Sequence, residues 1–347
     1  MTADIFLWLV QDGITNGAIY ALLALALLLV FAVTRVIFVP QGEFIAYSAL
    51  SMGLLQSGQL PGTVYVLVGG GLLAAAFDIA VAVREKAARR VPRILAVYVL
   101  IPVLIAVIAW WAAPRKLDQW AQALIVLALV VPLGPILYRI AYQPLANASV
   151  LVLFIISMAA HYALSGLGLV FFGGEGLRSN AFSDAAFTVG VLNITAQSIL
   201  VVSASVLGML GLWLFFDRTL YGKALRATAI NRVGARLVGI PTALSGRISF
   251  LVAAFIGAGS GILIAPIATI YYDTGLMIGL KGVVGAILGG LSSYPLAALG
   301  ALGVGMLESF SSFWASALKE TIVFTIIIPV LVWRSLSSRH HVEDEEE

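Results

Sequence analysis

The residues able to do chemistry are few, and they sit in apolar surroundings. Glu308, in GMLESF, is a carboxylate inside an apolar stretch, where an ionised group is costly unless it meets a partner or a cavity; at a helix end near headgroups it would need neither. His161, in SMAAHYALSG, has no acid beside it in sequence, so a hydrogen-bonded core residue is expected ahead of a proton relay. Asp78 lies about one and a half helical turns from Arg84 and Lys86 and is expected to be a satisfied interfacial charge. With no cysteine and only three histidines (His161, His340, His341), thiolate, disulfide and metal chemistry have little to work with. Gly222 and Lys223 lack the upstream glycine and following hydroxyl of a phosphate loop, and GAGSG at 257–261 follows no strand, so neither is a nucleotide motif. No catalytic, cofactor-binding or metal-ligating residue is therefore assigned.

Those side chains must be carried by membrane-spanning elements. Of the 347 residues, 61% are hydrophobic and 11% charged, more apolar surface than a water-soluble fold can hide. A formal charge of +3 would suit nucleic acid, but the cations cluster beside apolar segments without interleaved aromatics and read as topology signals. The N-terminus MTADIF has no basic region and runs into an apolar segment longer than a leader, so the first span is expected to stay.

Apolar runs of spanning length fall at 14–34, 42–58, 62–83, 94–113, 120–138, 150–171, 197–216, 248–271 and 320–334, nine spans in an all-α polytopic membrane protein. The loop REKAARRVPR and the stretch from Arg218 to Arg247 are both basic and predict a cytoplasmic face. Four spans separate them, an even number, so the two signals agree. Counting outward places the N-terminus and the polar segment 173–197 outside. A cytoplasmic tail with Arg334 and Arg339 then requires 276–318 to make no net crossing. That glycine- and serine-rich stretch is expected to form two half-penetrating helices meeting near Ser292, Ser293, Tyr294 and Pro295, or else two full helices with a short turn. GAILG at 285–289 and GAGSG carry small residues at helix-packing spacing.

The stretch LYGKALRATAINRVGARLVGIPTALSGR at 220–247 is polar and basic. Leu225, Ala229, Val233 and Leu237 recur every fourth residue, Gly239 and Pro241 form a stop, and the spacing predicts one helix of about four turns over Gly222–Val238. It is too short to span. A headgroup-binding loop, an interfacial helix and a helix docking on a cytosolic partner all fit.

The segment RTLYGKALRATAINRVGARLVGIPTALSGRISFLVAAFIGAGSGIL resembles the cytoplasmic loop and following helix of permeases of branched-chain amino acid ABC importers, the LivH-type family. The same resemblance appears in NGAIYALLALALLLVF at 16–31, IFVPQGEF at 37–44, YQPLANAS at 142–149 and the run at 279–309, in the family's order. It implies a coupling helix that docks an ATPase, carried by Arg226, Ala227, Ala229, Asn231, Ala235, Leu237, Gly239, Ile240 and Pro241. It also implies a translocation path bordered by Asn16, Tyr20, Gln41, Gly42 and Glu308. The implied partners are two cytosolic ABC ATPases holding ATP and Mg, a second permease (paralogue or self), an external solute-binding protein and the lipid of a bacterial inner membrane, with no nucleic acid. Where the family usually has Asn-Phe-Ala-His-Gly, the sequence has Phe38, Val39, Pro40, Gln41 and Gly42, so two polar groups are changed or lost. It departs again at Asn231, where an acid is common, and at Arg334-Ser335, where Arg-Pro is usual; 62–113 has no match.

The resulting expectation is a single permease domain over 1–334 with a coupling loop at 217–247 and a disordered tail at 335–347. It would transport branched-chain amino acids or a related small polar solute without being an enzyme. An ion-gradient-driven secondary transporter is the alternative, which would need more intramembrane acids than Glu308 and His161 supply. A membrane enzyme, lacking paired carboxylates, ranks last.

Overall fold

The computed structural model describes residues 2–115, 117–190, 192–290 and 293–332, which are almost entirely helical. The elements are α1 (Ala3–Thr34), α2 (Gln41–Gln56), α3 (Thr63–Arg84), α4 (Val91–Leu95), α5 (Ile101–Ala112), α6 (Gln119–Val130), α7 (Leu133–Leu137) and α8 (Val150–Phe172). A hairpin of β1 (Ala186–Val189) and β2 (Leu192–Thr195) leads into α9 (Ala196–Arg218). Then come α10 (Leu220–Ile230), α11 (Arg232–Leu237), α12 (Thr242–Ile264), α13 (Thr274–Leu288), α14 (Tyr294–Trp314) and α15 (Lys319–Thr325). A π turn at Ala96–Leu100 makes α4 and α5 one helix, and a second at Tyr138–Tyr142 extends α6 and α7 to Leu145.

Among the described residues, eight helices are long and apolar enough to cross a membrane, against nine expected spans. The difference lies at three places. The run at 42–58 forms α2, whose 16 residues reach about 24 Å at 1.5 Å per residue, short of the roughly 30 Å hydrocarbon core. The glycine-rich stretch forms α13 of 15 residues and α14 of 21, so it is one short helix and one of spanning length rather than two half-helices. The run at 320–334 is described only to 332, as α15 and the few residues after it. Ser292, Arg334, Arg339, His340, His341 and the tail 335–347 lie outside the described residues.

From Thr15 onward the central helix α1 is almost wholly enclosed by α9, α12, α13 and α14. After α1 the chain turns back through Arg35, at φ 62°, and an irregular segment carries Phe38 into the interior. There Phe38 packs on Phe250 at 4.6 Å and Tyr142 at 5.9 Å. This re-entry lets the short α2 start deep in the protein, where its backbone groups are covered by protein rather than lipid. Fourteen of its sixteen residues are buried.

Contacts divide the loops between two ends. At one end Arg232 donates to the Ala146 carbonyl at 2.9 Å, and Phe216 packs on Tyr294. At the other, Asn180 N–H donates to Gln56 Oε1, Leu177 bridges Ile270, and Gln11 donates to the Asn193 carbonyl. The ion pair between Asp78 and Arg139, and Arg247 over the Tyr98 ring, put the REKAARRVPR loop at the same end as 218–241. The even count of spans between the two basic loops requires this arrangement.

Candidate functional site

The basic segment begins at Thr219, whose hydroxyl accepts from Gly222 N–H at 2.9 Å and caps α10. It is not one helix of four turns. Asn231 leaves the helical region (φ −147°, ψ 102°), and its side-chain oxygen accepts from Gly234 N–H at 2.8 Å to start α11. Asparagine competes with the backbone for hydrogen bonds, so it favours a cap over a helix interior. The segment ends at Gly239, in the left-handed region at φ 84°, followed by Pro241.

The break redistributes the apolar face expected from i+4 spacing. Leu225 is buried with Leu29, Val33 and Phe216, and Ala229 packs against that cluster. Val233 and Leu237, turned by the kink, are 68% and 84% exposed, alongside Leu220, Tyr221, Ile230 and Val238. Ala235 is buried, Ala227 and Ile240 half-buried, and Arg226 and Pro241 exposed. Two cations are used as fasteners: Arg232 on Ala146, and Arg236 on the Thr242 hydroxyl at 3.0 Å. Thr228 shares a hydrogen bond with Ser245 of α12 at 3.1 Å. The segment is thus fixed to α9 and α12 while presenting apolar side chains outward between Lys223, Arg226 and Arg236.

The residues expected along a path fall into two buried groups. In the first, Tyr20 Oη donates to Glu308 Oε2 at 2.6 Å, and Lys281 Nζ donates to Glu308 Oε1 at 2.5 Å and to Glu320 Oε1 at 3.1 Å. This joins α1, α13, α14 and α15 through the buried Tyr20, Lys281 and Glu308 and the partly exposed Glu320, so Glu308 is an enclosed, partnered carboxylate. The contact requires close helices: a Cβ at Gly17 would come within 2.9 Å of Leu302 Cα, and one at Gly13 as close to Met306 Cα. Asn16, one turn from Tyr20, is half-buried and makes no hydrogen bond among the described residues.

In the second group, Gln41 Nε2 donates to the Ala253 carbonyl at 2.9 Å, and Glu43 pairs with His161 Nδ1 at 2.8 Å. Gly42 lies against Gly275, so that a Cβ on Gly42 would collide with the Gly275 carbonyl. Gly257 and Gly261 of GAGSG face Gln41, Phe44, Ile45 and Ser48, and Gly285 of GAILG faces Ala301, the packing role expected of both. The short α13 links the groups, since Gly275 and Gly279 touch Gly42 while Lys281 reaches Glu308.

His161 is indeed a hydrogen-bonded core residue, but its partner Glu43 is 118 positions away. Asp78 is satisfied by Arg139 of the long helix built from α6 and α7, not by Arg84 or Lys86. Lys281, Glu43 and Glu320 escape the sequence reading, although the rule that singles out Glu308 applies equally to a lysine inside GLKGVVG.

Apolar helices of spanning length, with polar groups gathered where they cross, define a polytopic α-helical membrane protein. Residues 9–331 match the family model for the permease component of branched-chain amino acid transport systems, and the chain belongs to that family. The high-affinity branched-chain amino acid permease LivH of Escherichia coli K12 is 28% identical over 201 residues, 56% of this chain and 65% of LivH. BraD of Pseudomonas aeruginosa, of the same description, is 32% identical over 143 residues, 41% of this chain and 47% of BraD. The chain thus spans between about half and two thirds of the length of the curated relatives it matches. A solved complex, PsaBC from Streptococcus pneumoniae with Fab, aligns over 93% of this chain and 89% of the other at 10% identity and TM-score 0.37.

Proposed function

We propose that this chain is the permease subunit of an ABC importer for branched-chain amino acids or a related small polar solute, and that 217–247 is its ATPase-docking loop. The observation that carries this is the exposed apolar set Leu220, Ile230, Val233, Leu237 and Val238, ringed by cations on a segment fastened to two spanning helices. Exposed apolar groups beyond the bilayer need a partner surface, and hydrogen bonds to α12 would pass its motion into the bundle. In this reading residues 1–334 form one permease unit of a bacterial inner membrane, with 335–347 as a tail. ATP and Mg are held by two cytosolic ATPase chains, a solute-binding protein delivers from outside, and a second permease completes the path. The path is bordered by Asn16, Tyr20, Gln41, Gly42 and Glu308. The choice of solute rests on the names of the LivH and BraD relatives.

The test is copurification from the native membrane, with solute-stimulated ATPase activity measured for wild type, Leu237→Asp and Gly239→Asp. The expected result is ATPase that copurifies with wild type and is lost from both variants. Solute accumulation in liposomes by the chain alone, driven by an ion gradient, would replace this reading with the secondary-transporter one.

A further inference from the structure

We infer that a cavity beside Arg247, at the basic end of the bundle, binds an anionic phospholipid. The cavity measures about 340 Å³ and is lined by Tyr98, Ile101, Pro102, Pro132, Pro135 and Arg247 among others. Its origin is local. The π turn at Ala96–Leu100 and Pro102 interrupt the regular course of one long helix, and Pro132 and Pro135 interrupt the next. Gly134 brings the second of these helices tightly against Phe250 and Ala254 of α12, and the gap stays open beside that contact, toward the first helix.

The shape and chemistry of the gap specify its occupant. Its rim residues Val97, Ile101, Leu244 and Leu251 are between 42% and 47% exposed, so it opens sideways toward hydrocarbon. One strong polar group enters it, the Arg247 guanidinium, on the second turn of the spanning helix α12. Among the described residues Arg247 forms no ion pair and no hydrogen bond; its contact is the Tyr98 ring, 5.9 Å from the guanidinium carbon. Asp78 cannot serve it fully, being held by Arg139. An unpaired cation in a spanning helix beside an apolar gap calls for an anion carrying an apolar body. A small free anion would leave the gap unfilled, and a zwitterionic lipid would leave the net charge unmatched. A phospholipid with a net negative headgroup satisfies both, with phosphate on Arg247 and an acyl chain against Ile101, Pro102 and Pro135. Arg93, one turn before Val97, extends the positive field at the same end.

The experiment is native mass spectrometry of the full chain, released from detergent after incubation with equal amounts of dioleoyl phosphatidylglycerol and dioleoyl phosphatidylcholine. Wild type is expected to retain the phosphatidylglycerol in preference by roughly fivefold, the effect of one cation near an anionic headgroup. Arg247→Ala is expected to lose that preference and Arg247→Lys to keep it. Ile101→Trp, which fills the gap and leaves the charge, is expected to lose retention of both lipids. Wild type holding the two lipids equally, or Arg247→Ala preferring phosphatidylglycerol as wild type does, overturns the proposal. If Arg247→Ala does not yield folded protein, the contrast between Arg247→Lys and Ile101→Trp decides: equal retention by these two also overturns it.

Discussion

Glu308 and Lys281 stand 27 residues apart on two adjacent helices, each buried and paired with the other, with Tyr20 a second partner of Glu308 and Glu320 of Lys281. Removing Lys281 leaves the buried Glu308 with the Tyr20 hydroxyl but no counter-ion, and breaking a buried pair in this way costs about 3–5 kcal/mol, whereas replacing both with apolar groups is close to neutral. Lys281→Met is therefore expected to lower thermal stability in detergent steeply, and Lys281→Met combined with Glu308→Leu to restore most of it. If the single variant melts with wild type, the pair does not hold these helices. Transport by the stable double variant separates fold from function: loss there assigns the charges to the path. At Gly42 the constraint is steric. A methyl group meets the Gly275 carbonyl, so Gly42→Ala is expected to push α2 and α13 apart at an overpacking cost of about 1–3 kcal/mol, read as a lower melting temperature.

Among the elements, the kinked pair α10 and α11 shows how one residue changes a surface. The i+4 row Leu225, Ala229, Val233, Leu237 is legible in the sequence as one stripe, yet only its first half is buried. Asn231 interrupts the helix between the halves and caps the second. Asn231→Ala removes that cap at a cost of about 1 kcal/mol, and faster amide exchange over 232–237 than in wild type is expected. Unchanged exchange would mean that packing of Ala235, not the cap, holds α11. The short helices α2 and α13 follow the same logic at larger size. Each is preceded by non-helical chain and begins where the other does, at Gly42 and Gly275. Their shortness is the geometric result of starting inside the protein.

For the whole molecule, both basic loops sit at one end and the 173–195 segment at the other. The absence of cysteine makes this directly testable, because single cysteines need no background removed. Cysteines placed at Glu85 and at Lys223 are expected to react with a membrane-impermeant maleimide only after the cells are opened, and one at Ser183 in intact cells. Opposite behaviour of Glu85 and Lys223 would contradict the arrangement of the helices. Reversal of all three would leave the fold intact and invert the orientation.

Hydropathy and the distribution of arginine and lysine determined the all-α membrane class, most of the spans and the common end of the two basic loops, because these depend on local composition and on counting. The glycines at 257, 261 and 285 were legible as packing residues for the same reason, small side chains at helical spacing. The meeting of Glu308 with Tyr20 and Lys281, of His161 with Glu43, of Asp78 with Arg139, and the gap beside Arg247 were decided only by the tertiary structure. Such pairs are fixed by which helices cross and at what depth. A sequence displays the cost of a buried charge, but the partner that offsets it is chosen in three dimensions.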